Sequence, residues 1–324
     1  MQIHIWFIYL IYVLHIYFIM DSIVDESLFS VHSFEGEAKG NTLLILAGVH
    51  GDEYEPILAA NELIDVFRKG ILKGKVVIVP IANQSAFDLD SRVGSDGLDL
   101  ARVCPGDEKG SITERVGYRI TELIKDADYL VDMHTGGKQL DIYPLAGYML
   151  HADENVLMKQ RAMAKAFGFP VIWGTDPTPN GRTLSVARDA NIPAIYLEYG
   201  GGNSIRKEVI VAYVKGCLNV ATSLGIINNG SEIISPKFHV EDYTPNGGHL
   251  QVKQPSPESG LFIPCVSNGN KISKGDIWGV VKNLETGFSV NSCADDDGIV
   301  LFIRNTAFVK KGDSLGGILP LKNN

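Results

Sequence analysis

Cysteine is scarce: the 324 residues hold four, Cys104, Cys217, Cys265 and Cys293, and none forms a Cys-x-x-Cys pair. That excludes a disulfide scaffold and a thiolate zinc cage, and a reducing compartment is the simplest setting. Basic residues are outnumbered, 29 Lys and Arg against 38 Asp and Glu, for a formal net charge of −9. A nucleic-acid binder needs a basic stripe to displace counterions, so that class is set aside. No low-complexity tract is present. With 45% apolar and 21% charged residues, the chain has core enough for about two domains, and whole-chain disorder is excluded.

Charge is missing altogether from residues 1–20, MQIHIWFIYLIYVLHIYFIM. The stretch has the length of a membrane span. An anchor reading would place Trp6 and the tyrosines at the interface and tie the chain to a membrane. The segment lacks the basic start and small-residue cleavage site of a secretory signal, and it lacks the flanking Lys or Arg of an anchor. Translation from Met20 and a cytoplasmic protein are therefore the favoured expectation.

From Met20 onward apolar runs alternate with amphipathic stretches. Strands are expected at Thr42–Val49, Lys75–Pro80, Asp128–Met133, Val171–Trp173 and Ala194–Leu197. Helices are expected at Glu55–Arg68, Ser111–Lys125 (with Ser111 and Glu114 in capping-box spacing), Asn155–Phe167, Arg182–Ala190 and Lys207–Leu224. The alternation predicts an α/β domain over 21–229, a mostly parallel or mixed central sheet with helices on both faces. Beyond 230 the texture changes to short β runs between glycine turns, with KISKGD (271–276) and FVKKGD (308–313) as a repeated turn. Residues 230–324 therefore read as a small all-β barrel or sandwich domain.

In sheets of this kind ligands sit outside the carboxyl ends of the strands. His50-Gly51-Asp52-Glu53 follows the first of them, and the glycine allows a sharp turn that brings His50 and Glu53 onto one ion. The 128–133 strand leads to His134, with Asp132 on the same face. Two histidines and a glutamate leave a coordination position open, the catalytic pattern for zinc. Taken alone, His-x-x-Glu is a weak signature, and a histidine at a strand end is more often hydrogen-bonded than ligating. Glu198, delivered by an apolar strand into Gly200-Gly201-Gly202, reads either as a solvated carboxylate on a glycine turn or as a general base with glycines giving room for substrate. The glycine run fits neither phosphate-loop signature, so nucleotide binding is not expected. Arg92 and Arg102 lie in the glycine- and proline-rich stretch 91–106, as surface cations or as carboxylate and carbonyl partners.

The order GVHGDE (48–53), N-x-x-A-F (83–87), SR…DGLDLARVCPG (91–106), DMHTGG (132–137) and LEYGGG (197–202) resembles the succinylglutamate desuccinylase/aspartoacylase family over about residues 30–228. These are amidohydrolases with a zinc carboxypeptidase-like fold. The resemblance implies one zinc per chain on His50, Glu53 and His134, with Glu198 as general acid and base. It implies that Arg92 polarises the scissile carbonyl, that Arg102 grips a substrate carboxylate, and that Arg182 stands on the substrate side. The similar branch hydrolyses small N-acyl amino acids, including N-acetylated diamino acids. Two departures stand out, because the family's Asn-Arg pair and Phe-Pro-Gly are here Ala101-Arg102-Val103-Cys104-Pro105-Gly106. Losing the asparagine removes one donor to a substrate carboxylate and puts the identity of the acid in question. The alternatives to a deacylase are a zinc carboxypeptidase acting on short peptides and a degenerate member that binds metal or ligand without turnover. A homo-oligomer is a general expectation that no residue specifies.

Overall fold

The computed structural model describes residues 24–26, 28–230, 235–245, 247 and 254–321; the apolar segment 1–20 lies outside them. Among the described residues no helix is long and apolar enough to cross a membrane. In chain order come β1 (Val24–Glu26), β2 (Phe29–Glu35), β3 (Ala38–Leu46), α1 (Tyr54–Phe67), β4 (Lys73–Val79) and the short helices α2 (Gln84–Asp88) and α3 (Leu100–Val103). They are followed by α4 (Ile112–Lys125), β5 (Tyr129–His134), β6 (Leu140–Met149), α5 (Glu154–Phe167), β7 (Val171–Thr175), α6 (Thr183–Asp189), β8 (Ala194–Gly201) and α7 (Lys207–Ser223). The remainder is β: β9 (Phe238–Glu241), β10 (Gly260–Pro264), β11 (Lys271–Ile272), β12 (Ile277–Lys282), β13 (Ser289–Cys293), β14 (Gly298–Arg304), β15 (Phe308–Val309) and β16 (Gly316–Pro320).

Twelve strands make one mixed sheet in the order β1-β2-β4-β3-β5-β8-β6-β14-β11, with β16 on β14 and β7 between β6 and β9. Strands β4, β3, β5 and β8 run parallel, whereas β2 and β6 flank them antiparallel. The central strands are apolar on both sides because both sides are covered. Leu43, Ile45, Val131, Met133, Ile195 and Leu197 pack on α1, α5 and α7 through Leu63, Phe167 and Tyr213. Leu44, Leu46, Val79 and Leu130 pack on α4 and α6 through Val116, Ile120 and Leu184. At the start of α4 the Ser111 N–H donates to Glu114 Oε2 at 2.8 Å, as the capping spacing requires.

Hydrogen bonding does not stop where the sequence texture changes. Strand β9 pairs with β7, and β14 pairs with β6 through Phe302 opposite Ile142, so the C-terminal residues extend the central sheet. A separate four-stranded sheet, β13-β12-β10-β15, shares a buried cluster with the large one, Phe262, Trp278, Val281 and Val309 meeting Val300 and Ile318. A second cluster joins Ile299, Leu301 and Phe302 to Leu145, Val171 and Trp173.

Strand β9 is clamped by a polar knot. Arg161 on α5 donates to both oxygens of Glu241 at 2.7 and 2.9 Å, and the Tyr148 hydroxyl donates to Oε1 at 2.6 Å. The Arg161 guanidinium, against the effect of burial and with the Tyr148 and Tyr243 hydroxyls, lowers the Glu241 pKa from 4.5 to about 2. A carboxyl depressed in the folded state stabilises above its unfolded pKa and loses that contribution as pH falls through the folded value. Glu241→Gln is thus expected to cost about 1–2 kcal/mol near neutrality, the scale of a partly exposed charge-assisted bond. The difference from the parent should shrink as pH falls from 4.5 towards 2. Urea unfolding at several pH values checks this, and a pH-independent difference would contradict it.

Candidate active site

Every predicted site residue lies at the carboxyl ends of β3, β5 and β8 or in the loops and the short helix α3 beside them. After β3 the chain turns through residues 47–53 before α1 starts. Gly51 makes that turn possible: a Cβ there would stand 2.1 Å from the backbone carbon of Ala86. The same close approach lets the Gly51 N–H donate to the Ser91 carbonyl at 2.9 Å, which ties the loop bearing Arg92 to the turn bearing His50. Strand β5 ends on His134, and the Tyr213 hydroxyl from α7 donates to its carbonyl. The parallel register of β5 and β8 sets His134 directly beside Glu198.

His50, Glu53 and His134 are buried, and one donor atom from each lies within 4.8 Å of the others. His50 Nδ1 is 2.8 Å from Glu53 Oε1, and His134 Nδ1 is 3.0 Å from Oε2. Both Nδ1 atoms therefore face the glutamate, and each Nε2 faces a second carboxylate: Asp99 at 3.2 Å from His50, Asp132 at 3.2 Å from His134. Outer carboxylates that orient imidazoles in this way are characteristic of metal-bound histidine. The Thr183 hydroxyl in turn donates to Asp132 Oδ2. Burial opposes ionisation of Glu53, yet the charges of His50 and His134 hold its pKa down at about 2. Burial likewise disfavours the charged imidazoles, but Glu53 and Asp99 raise His50, and Asp132 and Glu53 raise His134 well above the ordinary histidine value. A carboxylate faced by two imidazole nitrogens has the donor arrangement of a site that can take up a cation. Two nitrogens, one oxygen and their outer carboxylates suit zinc.

The three residues line a cavity of about 440 Å³ that also receives Glu198, Arg92, Arg102 and Arg182. Glu198 Oε2 is shielded and has no hydrogen-bond partner among the described residues. Burial, reinforced by the Glu53 charge and opposed by His134, raises its pKa to about 8. Asp99 accepts from Arg92 Nε at 3.0 Å on the oxygen opposite to the one facing His50, so a single carboxylate orients both. Arg102 is exposed at the rim, and Arg182 lies below it with its Nε unpartnered among the described residues. Burial and the neighbouring Arg102 charge lower the Arg182 pKa. Gly181 lets these two loops approach, and the Cys104 N–H donates to its carbonyl at 3.1 Å. Cys104 itself is a core side chain, its thiol pushed up to about 12 by burial.

One expectation is corrected. Gly200, Gly201 and Gly202 do not make room for substrate and do not line the cavity. A Cβ on Gly200 would stand 2.5 Å from Glu55 Oε2, and one on Gly201 would stand 2.5 Å from the Leu140 carbonyl. The glycines let the end of β8 pack on its neighbours, where the buried Glu55 accepts from the Gly201 N–H at 2.9 Å. Asp99 and Thr183, and the wall residues Leu145, Trp173, Leu301 and Phe302, were not singled out by sequence. Asp99 had a local signal, as its side chain accepts from the Ala101 N–H at 2.9 Å in N-cap fashion. The wall has none, because long-range pairing assembles it.

Comparison with known proteins agrees with this geometry. The model of the succinylglutamate desuccinylase/aspartoacylase catalytic domain matches residues 39–224. An N-alpha-acetyl-L-2,4-diaminobutyric acid deacetylase from Halomonas elongata is 30% identical over 289 residues, 86% of this chain and 82% of that protein. The product-bound ectoine utilization protein EutE (DoeB) from Ruegeria pomeroyi superposes with a TM-score of 0.82 at 27% identity, over 90% of this chain and 88% of that one. A succinylglutamate desuccinylase/aspartoacylase from Rhodobacter sphaeroides gives 0.80 at 26% identity, over 91% and 90%. The chain belongs to the succinylglutamate desuccinylase/aspartoacylase family. It is accordingly a hydrolase of amide bonds.

Proposed function

We propose that this chain is a zinc-dependent deacylase of small N-acyl amino acids, with His50, Glu53 and His134 as the metal ligands. The observation that carries the reading is Glu198, a carboxylate with an oxygen that has no partner among the described residues, held beside His134 in a cavity also lined by Arg92, Arg102 and Arg182. Zinc bound there supplies Lewis-acid polarisation and a water acidified towards neutral pH. Glu198 takes a proton from the attacking water and returns it to the departing amine, so amide and water leave as a carboxylate and an ammonium. Arg92, oriented by Asp99, offers its remaining guanidinium donors to the acyl oxygen as charge develops on it. Arg102 and Arg182 hold the carboxylate of the amino acid, and Ala101 leaves that grip to the arginines alone. The relatives' names place N-α-acetyl-L-2,4-diaminobutyric acid among the molecules to be tested. Four unpaired cysteines fit a cytoplasmic setting.

Metal analysis of the Met20-start protein, with amine release from N-acetyl and N-succinyl amino acids before and after chelation, tests the proposal. About one zinc per chain and turnover abolished by chelator and restored by zinc are expected. A folded, metal-supplemented protein without zinc would remove the basis of the reading.

A further inference from the structure

We propose that the substrate carries, beyond its amide and its carboxylate, an uncharged and largely apolar group of about phenyl size, seated against Leu145, Trp173, Tyr196, Leu301 and Phe302. The inference rests on the N-acyl amino acid reading of the same site and names which members of that class it accepts.

Strand register lays the cavity out in rows. Residues directly opposite on neighbouring strands project to one face. One row runs His134, Glu198, Leu145 across β5, β8 and β6; the next runs Asp132, Tyr196, Gly147 and Trp173 across β5, β8, β6 and β7. Strands lie about 4.8 Å apart, so Leu145 stands roughly 10 Å along the row from His134. That is farther than an acetyl group reaches. Gly147 leaves its place in the second row empty, and the Tyr196 ring occupies it; a Cβ there would meet the ring at 2.1 Å. Pairing of β14 with β6 then closes the end with Leu301 and Phe302. Leu145, Trp173, Leu301 and Phe302 are each less than 5% exposed and belong to one cluster, so the wall is as fixed as the core.

The charges lining the cavity point the same way. Its carboxylates are Glu53, Asp132 and Glu198, the first two engaged by the histidines and the third assigned to proton transfer; its other charged side chains are Arg92, Arg102 and Arg182. A second, free ammonium on the substrate would be desolvated beside arginines, with no carboxylate to spare among the described residues. An apolar group loses nothing there and gains its burial. One polar feature refines the fit: Trp173 Nε1 is buried without a partner among the described residues, a donor that an acceptor on the bound group would satisfy.

The test uses the zinc-loaded full chain. Values of kcat/KM for N-acetyl-L-phenylalanine and N-acetyl-L-methionine are compared with that for N-α-acetyl-L-2,4-diaminobutyrate, and N-benzoylglycine is compared with N-acetylglycine. The first arm places the apolar group on the amino acid and the second on the acyl half. A preference of about tenfold or more for the apolar member of either arm is expected from burial of a phenyl-sized group. Equal rates, or preference for the smaller or cationic member in both arms, would overturn the proposal. If no N-acyl amino acid is cleaved, the deacylase reading fails and binding decides the pocket. N-acetyl-L-phenylalanine should then quench tryptophan emission with about tenfold higher affinity than the diaminobutyrate, and Trp173→Phe should lose that response. Affinities no different from each other would overturn the apolar assignment.

Discussion

Glu198→Gln lowers kcat by about 10²–10⁴-fold and leaves the zinc content at that of the parent, because it removes a proton acceptor and no ligand. Glu198→Ala gives the same loss. The size of the effect follows from the placement of the group: Oε2 has no hydrogen-bond partner among the described residues. Burial raises its pKa to about 8, while the His134 charge opposes the shift, and a bound cation opposes it in the same sense. The carboxylate is thereby a stronger base than an exposed glutamate and remains able to give the proton up again. Steady-state kinetics with metal analysis on the same samples checks this; near-parental kcat in either variant would refute the role.

Glu53→Ala abolishes both metal and turnover. Glu53 is the side chain that both Nδ1 atoms face, and its removal takes away the carboxylate that helps raise both imidazoles. Outer carboxylates such as Asp132 carry about 10–100-fold in metal affinity, so loss of a ligand should exceed 10²-fold. Asp132→Asn supplies the internal comparison, expected to weaken zinc within that range and to retain measurable activity. Calorimetric titration of the two variants orders them. A Glu53→Ala protein that binds zinc as tightly as Asp132→Asn would falsify the ligand assignment.

That these side chains meet in one cavity was legible because each is announced by its own neighbourhood. His50, Glu53, His134 and Glu198 all follow apolar runs that could only be buried strands, and parallel strands carry their sites at those ends. Helices were legible to within a residue or two: Glu55–Arg68 was expected where Tyr54–Phe67 forms, and Asn155–Phe167 where Glu154–Phe167 forms. Strand β6 was not, and Pro144 is the reason. Proline interrupts a strand pattern, and here it falls in the irregularity between Ile142 and Leu145 where the ladder to β8 shifts register. Missing β6 concealed the partner of β14, and with it the wall of the cavity. The glycines after Glu198 were misread for a related cause. A glycine that admits a ligand and one that admits a neighbouring backbone have the same local sequence, and only the position of Glu55 and Leu140 distinguishes them.

Strand β14 carries none of the groups proposed to bind metal or move a proton, yet two of its residues, Leu301 and Phe302, line the cavity. Part of the cavity wall is thus written more than a hundred codons beyond Glu198. On the proposal above, codon changes at 301 and 302 alter which acid is accepted and leave His50, Glu53, His134 and Glu198 as they are.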